Sequence, residues 1–132
     1  MTQEYKDLLL QDICARLPYG VKCSYLDIEF NNTTHGNLEG FEYDDDKDVI
    51  FVIDGIGIYS EHVKPYLFPM SSMSDEDYEE YSKLWDLQDE FPSDADIRFK
   101  VDVFDWLNKK GFDYRGLIPK GLAIDATRLN IY

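Results

Sequence analysis

The chain has 132 residues, of which 44% are hydrophobic and 15% aromatic, and its formal net charge is −14. A chain of this length forms a core as one domain (1–132) without disulfides or metals, and its aromatic content excludes a disordered acidic chain. No apolar run approaches a membrane span, and the first residues lack the basic and apolar regions of a signal peptide. We therefore expect a protein of the bacterial cytoplasm whose Cys14 and Cys23 stay reduced.

Two short segments carry nearly all of the excess negative charge. In residues 41–61, seven acidic residues face Lys47 alone, and in residues 75–90 eight acidic residues face Lys83 alone. Residues 91–132 contain seven bases and six acids, so the molecule is electrically lopsided. A localised acidic surface repels nucleic acid and membrane phosphates and attracts basic partners.

The first half of the chain predicts one helix followed by antiparallel strands. Apolar residues recur with helical spacing from Tyr5 to Leu17, and Pro18 with Gly20 ends that helix. Alternation then predicts a strand from Val21, a polar loop at 31–37, and strands at 38–43 and 49–53. The Asp54-Gly55 pair indicates a tight hairpin turn, or a bulge within one longer strand, and both give an antiparallel meander.

The second half predicts a further helix, a strand and a short third helix. Two prolines are expected to keep the extended segment 64–69 out of the centre of a sheet. Ser74 is placed to cap a helix over 75–90, and alternation at 97–101 predicts a strand. Asp102 then opens a short helix that Gly111 ends, and short closing strands follow near 122–124 and 129–131.

These elements predict an α+β fold in a single small domain. We expect an antiparallel meander of three to five strands, packed by the two main helices and the short third helix.

Three stretches resemble a known group of sequences. They are ARLPYGV at 15–21, KPYLFPMSSM at 64–73 and DWLNKKGFDYRGLIPKGLAIDA at 105–126. Together they are similar to a family of small uncharacterised proteins from gut-bacterial genomes and their bacteriophages and prophages. The resemblance implies a phage-type accessory protein acting inside a bacterial cell, and it implies no activity, cofactor or site residue.

The candidate chemical motifs are all incomplete. Asp44, Asp46 and Asp48 have the spacing that opens a calcium loop, but Val49 and Gly55 occupy the places of its required glycine and glutamate. The Gly55-Ile56-Gly57 segment lacks the third glycine and the helix of a phosphate loop. A small hydrolase built on an aspartate with His62 or Cys14 is an open alternative, and we expect no metal or other cofactor.

The acidic segments are the basis of our main functional hypothesis, which is a non-enzymatic module that binds a basic host or phage protein. Acidic residues four apart in 75–90 repel one another and lie partly at the negative helix end, which costs stability. A surface tuned for solubility and a face that recognises basic side chains both account for this pattern. Residues Tyr66 and Phe68, flanked by prolines, are expected on a docking edge. The full candidate set is Asp44, Asp45, Asp46, Asp48, Asp75, Glu76, Glu79, Glu80, Asp86, Tyr66 and Phe68.

A sharper alternative is a nucleic-acid mimic, whose carboxylates occupy the phosphate-binding groove of a DNA- or RNA-binding protein. It requires the 44–48 turn and the 75–90 helix to share one face. Neither hypothesis involves direct nucleic-acid or membrane binding, and the sequence leaves homo-oligomerisation open.

Overall fold

The computed structural model describes residues 1–27, 29–90 and 95–132, with the side chains of 86–90 and 95–101 outside that description. It contains three α-helices and seven β-strands within these residues. The helices are α1 (Gln3–Arg16), α2 (Asp75–Glu90) and α3 (Ala95–Lys110). The strands are β1 (Lys22–Asp27), β2 (Asn32–Tyr43), β3 (Val49–Ile53), β4 (Ile56–Tyr59), β5 (Val63–Pro69), β6 (Phe112–Asp113) and β7 (Ile124–Asp125).

Helix α1 forms where the apolar spacing predicts it. The hydroxyl of Thr2 caps its first turn by accepting from the Tyr5 amide at 3.2 Å. Leu9 and Ile13, four residues apart, are buried against the sheet. The helix tightens into a short 3₁₀ turn at Leu17–Tyr19. The predicted first helix is therefore confirmed.

The strands form one sheet in the order β4-β3-β2-β1-β5-β6, and β7 pairs with β5 beside β6. The pairings from β4 through β5 are antiparallel, whereas β6 and β7 run parallel to β5. The α+β class in a single small domain is confirmed. The sheet has seven described strands rather than three to five, and two of them pair in parallel rather than antiparallel. The closing strand predicted near 122–124 corresponds to β7, the strand predicted near 129–131 is wrong, and the two-residue β6 left no alternation pattern to detect.

Strand β2 is longer than the sequence indicates, and the predicted polar loop at 31–37 is wrong. Residues from Asn32 onward pair with β1, so that His35 lies opposite Ser24. The second half of β2 pairs with β3, with a register shift between Leu38 and Gly40. A strand whose backbone pairs while its side chains face solvent has a polar composition, and this misled the prediction.

The β3–β4 hairpin agrees with the Asp54-Gly55 signal. Both turn residues have positive φ, 50° at Asp54 and 81° at Gly55, as a two-residue type I′ turn requires. Ile53 and Ile56 close the turn as a directly opposed pair. The hairpin prediction is confirmed, and the single longer strand is wrong.

Strand β5 lies inside the sheet, although Pro65 and Pro69 were expected to exclude it. It pairs with β1 on one side and with β6 and β7 on the other. Each ladder is short: three residue pairs join β5 to β1, and two join it to each parallel strand. The parallel pairing begins only at Tyr66, after Pro65. Ladders this short accommodate a residue that lacks an amide donor.

Helix α3 replaces the strand predicted at 97–101 and extends the short helix expected from Asp102. It runs continuously over sixteen residues from Ala95 to Lys110. Its described buried residues Val103 and Leu107 are four apart, the helical spacing. Three alternating residues are too few to distinguish a strand from a helix. Gly111, with φ of 82°, ends the helix as predicted.

The described part of the core divides into two clusters. The first lies between α1 and the sheet and includes Leu9, Ile13, Phe51 and Leu67. The second lies where α2, α3 and β6 meet and centres on Val103, Leu107 and Phe112. No helix within the described residues is both long and apolar enough to span a membrane.

Candidate functional site

The two acidic segments lie toward opposite edges of the sheet. The turn of residues 44–48 joins β2 to β3, next to the edge strand β4. Helix α2 packs on α3, and α3 packs on β6 at the other edge. Three strand spacings separate β2 from β6, or roughly 14 Å at the usual distance between strands. The carboxylates thus form two separate acidic regions, and because strand order does not establish whether they share a face, the nucleic-acid mimic stays a hypothesis.

Within the 44–48 turn, Asp44 stabilises the local structure. Its Oδ1 accepts from the amides of Asp46 at 2.9 Å and Asp48 at 2.8 Å. Its Oδ2 accepts from the Tyr59 hydroxyl at 3.1 Å, and this bond to a carboxylate raises the pKa of Tyr59. Asp44 thus orders the turn and ties it to β4, so its oxygens are already engaged by the chain itself.

The other acidic residues of the turn face solvent. Asp45, Asp46 and Asp48 are all exposed. Asp48 lies 3.7 Å from the Lys6 ammonium, in an exposed pair of the kind that contributes little stability. These three carboxylates are therefore presented by an ordered turn.

The acidic residues of α2 are partly compensated by nearby cations. Glu79 pairs with Lys83 at 3.5 Å. Glu80 accepts from the Trp106 indole at 3.0 Å and lies 4.0 Å from Lys110. Asp75 and Glu76 are exposed in the first turn, where a helix favours acids, and the side chain of Asp86 lies outside the described residues. Among the described charges that were predicted to bind a partner, Glu80 contacts α3, whereas the Glu79 pair lies within α2 itself.

The predicted aromatic docking edge at Tyr66 and Phe68 is wrong. Tyr66 is only 8% exposed, and its backbone oxygen accepts from the Tyr132 hydroxyl at 3.0 Å. Phe68 is half-buried and packs against Phe112 and Tyr132. Both residues belong to β5, which has a strand on either side and so presents no free edge.

Three apolar side chains form an exposed apolar strip on the hairpin: Phe41 and Tyr43 lie close to the acidic turn, whereas Ile56 lies beside the Asp54-Gly55 turn at the other end of β3. Phe41, Tyr43 and Ile56 are 40%, 57% and 47% exposed. The pairing register places them on the same face of the hairpin as Phe51 and Ile53, which are fully buried. The apolar face of the sheet thus continues beyond the core into solvent. The alternation of Phe41 and Tyr43 with Glu42 was a visible signal for this strip, but sequence alone does not show where the core ends.

Strand β4 is the outermost strand of the described sheet on this side. In a two-residue hairpin the pair that closes the turn, here Ile53 and Ile56, is hydrogen-bonded, and the bonding alternates from there. Gly57 and Tyr59 therefore direct their backbone amides and carbonyls away from β3. We use the name acidic hairpin edge for three features taken together. They are strand β4, the turn residues Asp45, Asp46 and Asp48, and the apolar strip of Phe41, Tyr43 and Ile56.

The described residues also contain a buried ionic network that sequence analysis missed. Asp12 is fully buried, and its carboxylate accepts from Arg16 at 2.8 and 3.0 Å and from Arg115 at 3.1 Å. Arg16, 1% exposed, also donates to the backbone oxygen of Phe112 at 2.7 Å. Arg115 donates to the Tyr114 hydroxyl, which in turn donates to Asn108. One carboxylate thus joins α1 to the segment after α3.

The network connects two of the three sequence stretches singled out above, at 15–21 and 105–126. Arg16 lies in ARLPYGV, while Asn108, Tyr114 and Arg115 lie in the long block at 105–126. Asp12 and Arg16 are four residues apart on α1, a spacing that in sequence is indistinguishable from an exposed helix ion pair. Only the fold shows that this pair is internal.

The residues named for a hydrolase are placed as follows. His62 lies 3.5 Å from Glu61 and lines an open pocket of about 370 Å³ with Ser24 and Lys64. Cys14 is half-buried, and burial raises its pKa, so the thiol stays protonated at neutral pH. A protonated thiol is a poor nucleophile, which weighs against Cys14 in that role. The hydrolase remains an untested alternative.

Metal chemistry finds no support in the described residues, where no group of three or more histidine, cysteine or acidic side chains is arranged to hold an ion. Asp44, which would begin the calcium loop, directs its oxygens at amides of its own turn.

Comparison of the chain with models of protein families, with curated proteins and with solved structures found no match.

Proposed function

We propose that the protein is a non-enzymatic interaction module that binds a basic protein through the acidic hairpin edge. The observation that carries the proposal is the apolar strip, in which Phe41 and Tyr43 continue the buried face of the sheet into solvent beside three exposed carboxylates and Ile56 is exposed farther along β4. Exposed aromatic residues next to a charged rim are typical of protein interfaces.

The free edge of β4 supports a defined mode of binding. An extended partner segment adds to a sheet edge through backbone hydrogen bonds, and alternate side chains supply specificity. Gly57 and Tyr59 offer outward backbone groups for that pairing. Apolar side chains of the segment would cover Ile56, and its lysines or arginines would approach Asp45 and Asp46. Electrostatic attraction would speed association and make it sensitive to salt.

We further propose the biological setting that the sequence led us to expect. The partner is a protein of the bacterial host or of a phage, and binding occurs in the bacterial cytoplasm. The resemblance to phage-associated families supports this setting, and the absence of any recognisable catalytic motif favours binding over catalysis.

A quantitative pull-down from lysate of the native host tests the proposal with a matched control. One variant reverses the hairpin charges (Asp45→Lys, Asp46→Lys, Asp48→Lys), and the other reverses three charges on α2 (Asp75→Lys, Glu76→Lys, Glu79→Lys). We expect one basic protein to be captured by the wild type and by the α2 variant, and lost from the hairpin variant. Capture that survives in the hairpin variant and is lost in the α2 variant would reject the proposed surface.

A second pair of variants separates the apolar strip from the charges. The double substitution Phe41→Ser and Tyr43→Ser removes exposed ring surface and leaves every carboxylate in place. We expect it to abolish capture of the same protein at all salt concentrations. Substituting Tyr78→Ser, a residue that is 63% exposed on α2, should leave capture unchanged.

A further inference from the structure

A pocket of about 270 Å³ opens at the end of α1, far from the acidic hairpin edge in the order of the sheet. Its walls come from the end of α1, the end of α3, strand β5 and the aromatic ring of Tyr132. The described residues that line it include the cations Arg16, Lys109 and Lys110, and none of them is acidic. The lining of this pocket is therefore positively charged, although the whole protein has a formal net charge of −14.

Arg16 reaches this pocket with one donor group unused. Its Nε and Nη2 are bound to Asp12 and to the Phe112 oxygen. Its Nη1 is buried and has no hydrogen-bond partner among the described residues. Because Nη1 is shielded from solvent, a molecule in the pocket does not contact it directly, and Arg16 acts on the pocket through the charge of its guanidinium, which lies over the Tyr114 ring with 5.3 Å to the ring centroid.

The charge around Arg16 is also unbalanced. Asp12 is the acidic partner of both Arg16 and Arg115, so the described network retains one net positive charge. Lys110 is compensated by Asp77 at 3.6 Å, whereas Lys109 forms no ion pair with any described residue. Positive charge in a partly desolvated site is stabilised by a bound anion.

The remaining walls indicate the rest of the ligand. Phe68 and Tyr132 contact each other with ring centroids 5.9 Å apart and give the pocket an apolar side. The volume lies just below the usual range for small-molecule sites, so the ligand is compact.

We propose that this pocket binds a small anion whose carboxylate or phosphate group is attracted by the positive charge of Arg16 and by Lys109 at the entrance, with any apolar part against Phe68 and Tyr132. The proposal is independent of the acidic hairpin edge, and neither depends on the other.

Nuclear magnetic resonance titration of the full chain tests the site with three probes: sodium phosphate, sodium benzoate, and sodium chloride at equal ionic strength. We expect saturable shifts at the amides of Lys109 and Gly111 and at the Arg16 guanidinium with phosphate or benzoate, and none with chloride. A response to phosphate alone would assign a phosphate group, and a response to benzoate alone a carboxylate with an apolar body.

Substitutions at the pocket entrance test whether the chemical-shift changes arise from an anion bound in this pocket. Replacing Arg16 threatens folding because Asp12 would be left buried and unpaired, so the test uses the exposed Lys109. We expect Lys109→Gln to weaken binding about three- to fivefold and Lys109→Glu to abolish it. The control Lys83→Gln, on α2, should leave affinity unchanged. The proposal is overturned if neither anion saturates the pocket beyond the chloride response, or if Lys109→Glu binds as the wild type does.

Discussion

The acidic hairpin edge and the buried ionic network around Asp12, here the Asp12 network, differ in where their charges lie. At the hairpin, Asp45, Asp46 and Asp48 are exposed, and their charges are held apart from the core on an ordered turn. In the network, one buried carboxylate binds the buried Arg16 and the partly buried Arg115 and fixes α1 to the segment after α3. The acids of the turn are therefore exposed to solvent, whereas the charges of the network hold two parts of the fold together. Charge count in the sequence says little about which charges matter for stability.

Replacing the buried carboxylate gives the largest expected effect. Asp12→Asn leaves Arg16 and Arg115 without their anionic partner, so the free energy of unfolding should fall by about 3–5 kcal/mol. The same change at the exposed Asp48 should alter it by about 1 kcal/mol or less. Urea unfolding followed by circular dichroism measures both values. Equal effects at the two positions would contradict the distinction between the regions.

A substitution at Gly111, which ends α3, is expected to reduce the free energy of unfolding by a smaller amount. Gly111 has φ of 82°, and a Cβ there would lie 3.5 Å from the Phe68 ring. Gly111→Ala should therefore destabilise the protein by about 1–2 kcal/mol through backbone strain. At Gly40, in β2, a Cβ would meet nothing within 4 Å, and no left-handed conformation is required. Gly40→Ala should have almost no effect in the same urea experiment, and a larger loss there than at Gly111 would contradict the prediction.

The buried thiol of Cys23 is expected to make the free energy of unfolding depend on pH. Burial, with a contribution from the charge of Asp12, raises the pKa of Cys23 from 9.0 to about 12. Below pH 9 both the folded and the unfolded chain keep the thiol protonated, so the shift has no effect on stability there. Between pH 9 and about pH 12 the thiol is deprotonated in the unfolded chain but still protonated in the folded one. The free energy of unfolding should therefore fall by up to about 1.4 kcal/mol per pH unit in this range.

Comparison with Cys23→Ala isolates this contribution. From about pH 8 to about pH 10 the wild type should lose roughly 1 kcal/mol more stability than the variant. A thiol reagent at neutral pH should also modify Cys14 before Cys23, which is fully buried. Parallel stability curves for the two proteins, or equal labelling rates, would contradict the assigned burial.

Local signals in the sequence predicted local structure well. The cap of Ser74, which accepts from the Asp77 amide at 3.1 Å, and the Asp54-Gly55 turn each depend on a few adjacent residues. The position of β5 depends instead on strands that lie distant in sequence, and two prolines gave the wrong prediction. The Asp12 network was missed for the same reason, since Arg115 is 103 residues away from its partner. The exposure of the acidic turn was predicted from the sequence, whereas the exposed aromatics are Phe41 and Tyr43 on β2 rather than Tyr66 and Phe68 on β5.

Hydrogen–deuterium exchange of the protein, alone and bound to the captured partner, tests the central claim most directly. If the acidic hairpin edge is the docking surface, binding protects the amides of 41–48 and 56–59 and leaves those of 75–85 unchanged. Protection confined to 75–85, with unchanged exchange across β4, would contradict the account.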